Sequence, residues 1–210
     1  MEKSVNTEAA ILGKEQQRMK IKMELLSDVI FGNGVSVPGG EDISVLCDKD
    51  GFPYYKGGTF KGVFREELAK YFSWLGKETG EAEELVDCLL GDKGGFRKQE
   101  DYKLVFSDFV LSGYVKEEIL KETGIGEGHA ELVKELLTHQ RTLTSITEDG
   151  VAKEGSLRSL RCVNKGLYFY SELLCHKGEE ELVKEVLSMI KWVGSMRNRG
   201  FGKVKITVEE

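Results

Sequence analysis

Two stretches of strict alternation, one near each end of the chain, constrain its fold more than any other feature. Lys20-Ile21-Lys22-Met23-Glu24-Leu25 and Val204-Lys205-Ile206-Thr207-Val208 place apolar side chains at every second position, as a strand with one buried and one wet face requires. Each is coupled to a helical pattern. Val63, Phe64, Leu68, Tyr71, Phe72 and Leu75 form one face after the first alternating segment, and Gly76 is a natural stop. Leu182, Val183, Val186, Leu187 and Ile190 form the face of residues 179–193, just before the second alternating segment. Acids open that helix and Lys191 closes it, in agreement with the helix dipole. Residues 102–106 and 167–174 read as two further strands. The order strand, helix, strand, strand, helix, strand is the split βαβ plan. The expected fold class is therefore α+β, with a ferredoxin-like (RRM-like) βαββαβ core.

The rest of the chain reads as additions to that core: a flexible segment at 1–19, then one domain at 20–210 with insertions at about 77–101 and 112–165. Residues 81–90 form an acidic helix. Residues 115–121 and 129–139 are helical and are separated by a loop with Gly124, Gly126 and Gly128. Residues 142–146 and 157–163 flank a glycine-bearing connection, as the arms of a β-hairpin would. With 210 residues, 40% hydrophobic and 31% charged, the chain is too apolar for wholesale disorder. No run approaches the roughly 20 apolar residues of a membrane span, and Ala9-Ala10-Ile11-Leu12 is too short for a signal-peptide core. Cys47, Cys88, Cys162 and Cys175 lack paired spacing, so free thiols in a reducing cytoplasm are expected, and zinc is not.

A formal charge of −6 restricts any nucleic-acid contact to a local basic stripe. Two segments qualify. Gly57-Gly58-Thr59-Phe60-Lys61-Gly62 opens the first long helix, with Thr59 suited to an N-cap and Lys61 opposing the positive end of the dipole, a conflict that a bound anion would relieve. Arg197-Asn198-Arg199-Gly200-Phe201-Gly202-Lys203 lies in a stretch, residues 191–205, with five basic residues and no acid. Glycines admit close backbone approach and arginines grip phosphate in bidentate fashion. Arg199-Gly200-Phe201-Gly202 also matches the start of the RNP1 consensus, but Lys203 and Ile206 stand where its later aromatics belong.

Taken together, several blocks resemble the RAMP superfamily of CRISPR-associated RNA-binding proteins. Gly32-Asn33-Gly34 looks like its early glycine turn. The run from Asp50 to Arg65, with Gly57-Gly58-Thr59-Phe60-Lys61-Gly62 at its centre, is similar to the block "dG-PyiPGSSLKGvlR". Leu104-Val105-Phe106-Ser107-Asp108 resembles its "l-fsDa" strand, and Gly150 to Leu157 its "tG-a--gsL" hairpin. The loop 197–203 resembles its C-terminal glycine-rich signature. These blocks keep the family's order from about residue 20 to 208, and they look nearest the backbone subunits of type III effector complexes.

That resemblance implies a subunit that holds guide RNA, assembles with other CRISPR effector subunits and further copies of itself, and cleaves the paired target RNA with Mg2+ or Mn2+. It implies Asp42, six positions before Asp48, as the catalytic and metal-holding carboxylate. The RNA-binding residues it implies are Lys56, Lys61, Arg65, Arg158, Arg161, Arg197, Arg199, Gly200, Gly202 and Lys203. The alternative is a non-catalytic structural or capping subunit of the same complex. Ile30 stands where many relatives carry a histidine, which argues against a guide-processing endonuclease. Lys61, Arg65, Arg197, Arg199 and Lys203 are expected in one groove, and Leu157 and Leu160 are expected to form an apolar wedge on the hairpin.

Overall fold

In the computed structural model, which describes residues 16–32, 34, 40–91, 104–124 and 126–209, the first alternating segment is a ten-residue strand, β1 (Gln16–Leu25). Met19, Ile21, Met23 and Leu25 point into the core at 5% exposure or less. The strand starts earlier than its clearest alternation. Residues 16–19, expected to be loose, pair with β5 (Tyr168–His176) as far as Gln16 opposite His176, because Met19 supplies one more core position. Residues 1–15 of that expected flexible segment lie outside the described residues.

Helix α1 (Gly57–Trp74) buries Phe60, Phe64, Leu68 and Phe72, one residue per turn along a single stripe. Its N-cap is Lys56, not Thr59, which lies inside the first turn. The acceptor at this helix start comes from a distant residue instead: Asp108 Oδ1 takes the Gly57 N–H at 2.8 Å. A Cβ on Gly57 would fall 2.4 Å from the Phe106 carbonyl oxygen, so only glycine lets the helix start against this strand. Helix α2 (Thr79–Leu90) follows and buries Ala82, Val86, Leu89 and Leu90.

Strand β2 is only Val105–Phe106; Tyr102 and Lys103, expected to belong to it, lie outside the described residues. After helices α3 (Gly113–Thr123) and α4 (His129–Leu137) come the hairpin strands β3 (Thr138–Leu143) and β4 (Arg158–Val163). Thr138 turns from helix to strand, its Oγ1 donating back to the Lys134 carbonyl at 2.6 Å. The expected helix 129–139 is therefore two residues shorter, and the hairpin arm begins earlier. Strand β5, helix α5 (Glu180–Met189) and strand β6 (Val204–Glu209) complete the chain. Lys191 lies just past α5, and its ammonium bonds the Ser188 carbonyl.

The main sheet runs β2-β5-β1-β6, and every neighbouring pair is antiparallel. Residues of α1, α2 and α5 join Ile21, Met23, Phe169, Leu173 and Ile206 of the sheet in one core. Around α1, Phe60 lies 4.5 Å from Phe109 and 5.3 Å from Phe106 between ring centroids, and Phe31 stacks on Tyr55 at 4.7 Å. On the opposite face of the sheet, Lys20 and Lys22 hold their ammonium groups over Tyr170 and Tyr168.

The hairpin β3-β4 is a sheet of its own. A second small core of Ile30, Leu160, Cys162 and Phe201 joins it to the C-terminal loop. Leu160, expected in an exposed wedge, is fully buried there, whereas Leu157 is 68% exposed. Burial pushes the thiols of Cys47 and Cys175 up to about 11 and that of Cys162 up to about 12, which keeps them protonated and unreactive. Among the described residues, no helix is long and apolar enough to cross a membrane.

Candidate nucleic-acid interface

The start of α1, the segment after β1 and the loop before β6 meet around a groove of about 530 Å³. Phe31, Leu46, Tyr55 and Val63 line it alongside Lys56, Glu66 and Arg197. Lys56 and Arg197, far apart in sequence, bring positive charge to one groove. Arg197 opens a single 3-10 turn, Arg197–Arg199, in which Arg197, Arg199 and Gly200 are all exposed.

That loop is held from below. The Gly202 N–H donates to the Asp28 carbonyl at 2.8 Å, its carbonyl accepts from Val193, and the Lys203 N–H donates to Ser27 Oγ at 2.9 Å. Gly202 has φ +81°, and a Cβ there would lie 1.9 Å from the Val193 carbonyl oxygen. It is buried. This glycine, expected at an RNA contact, lies beneath the loop and anchors it. Gly200, at φ +84° with open space around its Cα, remains on the surface.

The other expected contacts divide. Lys203 and Arg199 are exposed but do not line the groove, and Lys61 is half-buried on α1. Burial, and then the neighbouring Arg65, lower the Lys61 pKa. Arg65 is committed elsewhere: its guanidinium grips Asp87 and the Gly91 carbonyl, tying α1 to α2, and its side chain is only 15% exposed. Arg161 is the clearest correction. It is 4% exposed and bonds Glu41, Glu135 at 2.8 Å and Thr138 Oγ1 at 3.0 Å. An arginine so enclosed, with two carboxylates already on its guanidinium, is not presented to a phosphate. Of the five cations expected in one groove only Arg197 lines it, and its cationic companion there is Lys56, from outside that set.

Asp42 sits at the base of the hairpin. Its backbone N–H donates to the Ser159 carbonyl at 2.7 Å. Its Oδ2 accepts the Ser159 N–H at 2.7 Å and its Oδ1 accepts from Arg158 at 3.0 Å. The Ser159 N–H and then the Arg158 guanidinium hold this carboxyl below its ordinary range. Arg158, expected to bind RNA, is 62% exposed and carries this ion pair.

Neighbouring Glu41 points inward. Burial pushes its pKa up, but hydrogen bonds from Gln140 and Arg161 outweigh that, and the carboxyl lies below its usual value. Asp28 ties the same region from the other side: Oδ1 accepts the Lys165 N–H at 3.2 Å, and Oδ2 lies 3.5 Å from both His139 and Arg141. Arg141 also stacks over Phe201 at 4.9 Å. The hydrogen bonds of Asp28, Glu41 and Asp42 to the hairpin region join residues 99 to 137 positions apart, and no local pattern announces them. One signal was available, since Arg161 interrupts the apolar run Leu160-Arg161-Cys162-Val163.

An antiparallel sheet with helices packed on one face, a separate hairpin, and a cationic groove beside the C-terminal loop define an α+β protein that presents basic loops around a fixed core. The chain belongs to the RAMP superfamily, whose family model matches residues 22–205. It is similar in fold to a chain of the type III-B Cmr-beta complex bound to cognate target RNA, solved by cryo-EM. That match has a TM-score of 0.66 at 14% identity and covers 91% of this chain and 97% of that one. A chain of the type III-B Cmr-beta complex in the apo state matches with a TM-score of 0.66 at 15% identity, over 92% and 97%. No curated protein matches it in sequence.

Proposed function

We infer that this protein is a guide-RNA-binding backbone subunit of a type III CRISPR effector complex, built on a ferredoxin-like core and assembled with other subunits and further copies of itself. The observation that carries the reading is the groove that unites Lys56 with Arg197 between two glycine-bearing segments. Family membership supports it, as do fold relatives from a complex that binds target RNA. Such a groove grips phosphates, so it holds guides of any sequence alike. Replacing Lys56 and Arg197 together by Ala should weaken guides of different sequence by similar factors. It should also flatten the salt slope by about 1.4, at roughly 0.7 per phosphate contact for single strands. An unchanged slope would exclude the groove as the contact site.

Whether the subunit also cuts target RNA turns on Asp42. The resemblance suggests cutting there with Mg2+ or Mn2+. The donor set does not fit a metal site formed by this chain alone: both Asp42 oxygens are engaged, Arg158 would repel a cation, and Glu41 faces Arg161. This observation favours the second reading, a non-cleaving structural subunit in which Asp42 anchors the loop to the hairpin. Effector complexes assembled with Asp42→Asn in every copy separate the two. If the wild type cuts target at regular intervals and the variant binds target without cutting, Asp42 is catalytic. Identical behaviour of the two would leave the structural role.

A further inference from the structure

Arg197 lines two depressions, and the second has chemistry that the groove lacks. Beyond Arg197 lies a cavity of about 470 Å³ between α1 and the segment after α5, bounded by Glu67, Lys70, Lys191, Trp192, Arg197 and Asn198. That size falls within the range of small-ligand sites. Its charge is lopsided on an otherwise acidic chain. Glu67 is matched by Lys70 at 2.7 Å, which leaves Lys191 and Arg197 in excess.

Trp192 is 38% exposed although aromatic side chains fill the core of this protein. Its backbone is held firmly. Trp192 bridges Lys203 across the loop, the Val193 N–H donates to the Gly202 carbonyl at 2.8 Å, and the Val204 N–H donates to the Lys191 carbonyl at 2.9 Å. The indole is therefore offered on a fixed platform and not on a loop tip. A preorganised aromatic face beside clustered cations suits a single-stranded nucleotide, whose base stacks while its phosphate pairs. An apolar protein partner would want a centre poorer in charge.

We propose that this cavity is a nucleotide subsite, in which one base of the RNA strand passing Arg197 stacks on Trp192 and its phosphate meets Arg197 and Lys191. The proposal rests on the RNA-binding reading of the groove and extends the path of the strand toward α5. Asn198 supplies an amide at the same wall for the edge of the base.

The chain has two tryptophans, Trp74 and Trp192, so Trp74→Phe leaves Trp192 as the sole indole reporter. The full-length protein is titrated with an end-labelled, unstructured single-stranded RNA, following indole emission and label anisotropy together. Trp192 emission should fall along the same isotherm as the anisotropy rise. In the otherwise wild-type chain, Trp192→Ala should lose about tenfold in affinity, while Trp192→Phe keeps most of it. Normal anisotropy with unchanged emission and an unaffected Trp192→Ala overturns the subsite and leaves the groove standing. No binding by either readout overturns both. A Trp192→Ala protein that binds RNA normally but fails to join the other effector subunits marks a protein contact, and also overturns the subsite.

Discussion

Replacing Arg161 by Met tests the buried network that holds the Asp42 loop. Methionine keeps much of the stem of the side chain and removes the guanidinium, which is bonded to Glu41, Glu135 and Thr138 at 4% exposure. Thr138 keeps its bond to the Lys134 carbonyl, and the half-exposed Glu135 can turn to water. Glu41 is the group that suffers. It is 8% exposed and would retain only Gln140, at 3.0 Å, to balance its charge. Stranding one member of a buried pair costs about 3–5 kcal/mol. With Gln140 still in place, the low end applies, about 3 kcal/mol. For a chain of this length, that lowers Tm by about 6–12 °C. Differential scanning calorimetry and urea titration measure it directly. Adding Glu41→Gln to Arg161→Met should restore most of the loss, because it removes the stranded charge and keeps the amide bond. A single variant within about 0.5 kcal/mol of wild type, or a double variant whose losses simply add, would refute the reasoning.

The two loop glycines should part sharply: Gly202→Ala, with its Cβ 1.9 Å from the Val193 carbonyl oxygen, should cost more than about 3 kcal/mol, and Gly200→Ala, in open space, about 1 kcal/mol. Urea midpoints of the two variants check this. Asp108→Ala removes the acceptor from the Gly57 N–H and should cost about 1 kcal/mol, read as a lower midpoint with unchanged m-value. The Glu41 carboxyl lies below its ordinary 4.5 in the folded chain, so its contribution is complete above that value and is lost as pH falls through the folded one. Wild type should therefore lose stability more steeply below pH 4.5 than Glu41→Gln does; parallel pH profiles would contradict the assignment.

Much of the architecture was legible because alternation and 3.6 periodicity persist long enough to average out local noise. The inward set of β1 and the Phe60-Phe64-Leu68-Phe72 stripe of α1 follow from pattern alone. Boundaries were less legible where a tertiary partner decides them. Thr59 had the side chain for an N-cap, yet the Gly57 N–H is met by Asp108, fifty-one positions away. The same limit applies at the site. Charge counts identified the basic stretch around Arg197, but they could not separate Arg199, which faces solvent, from Arg161 and Arg65, which carboxylates enclose. Arginines on the surface and arginines in a buried network look alike in sequence, because their partners come from other elements.

The hairpin is held by a stiff pivot and soft stays. Its pivot is the dry packing of Leu160 and Cys162 on Phe201, together with the buried Arg161 cluster, neither of which ions in solution can weaken much. Its stays are the wetter pairs Asp42–Arg158 and Asp28–Arg141, which salt screens over a Debye length of about 8 Å under physiological conditions. Rising ionic strength therefore loosens the sides of the arm before it reaches the base. Between the two lie the backbone bonds of Asp42 to Ser159 and of Val29 to Val163, which keep the arm seated when its outer pairs are screened.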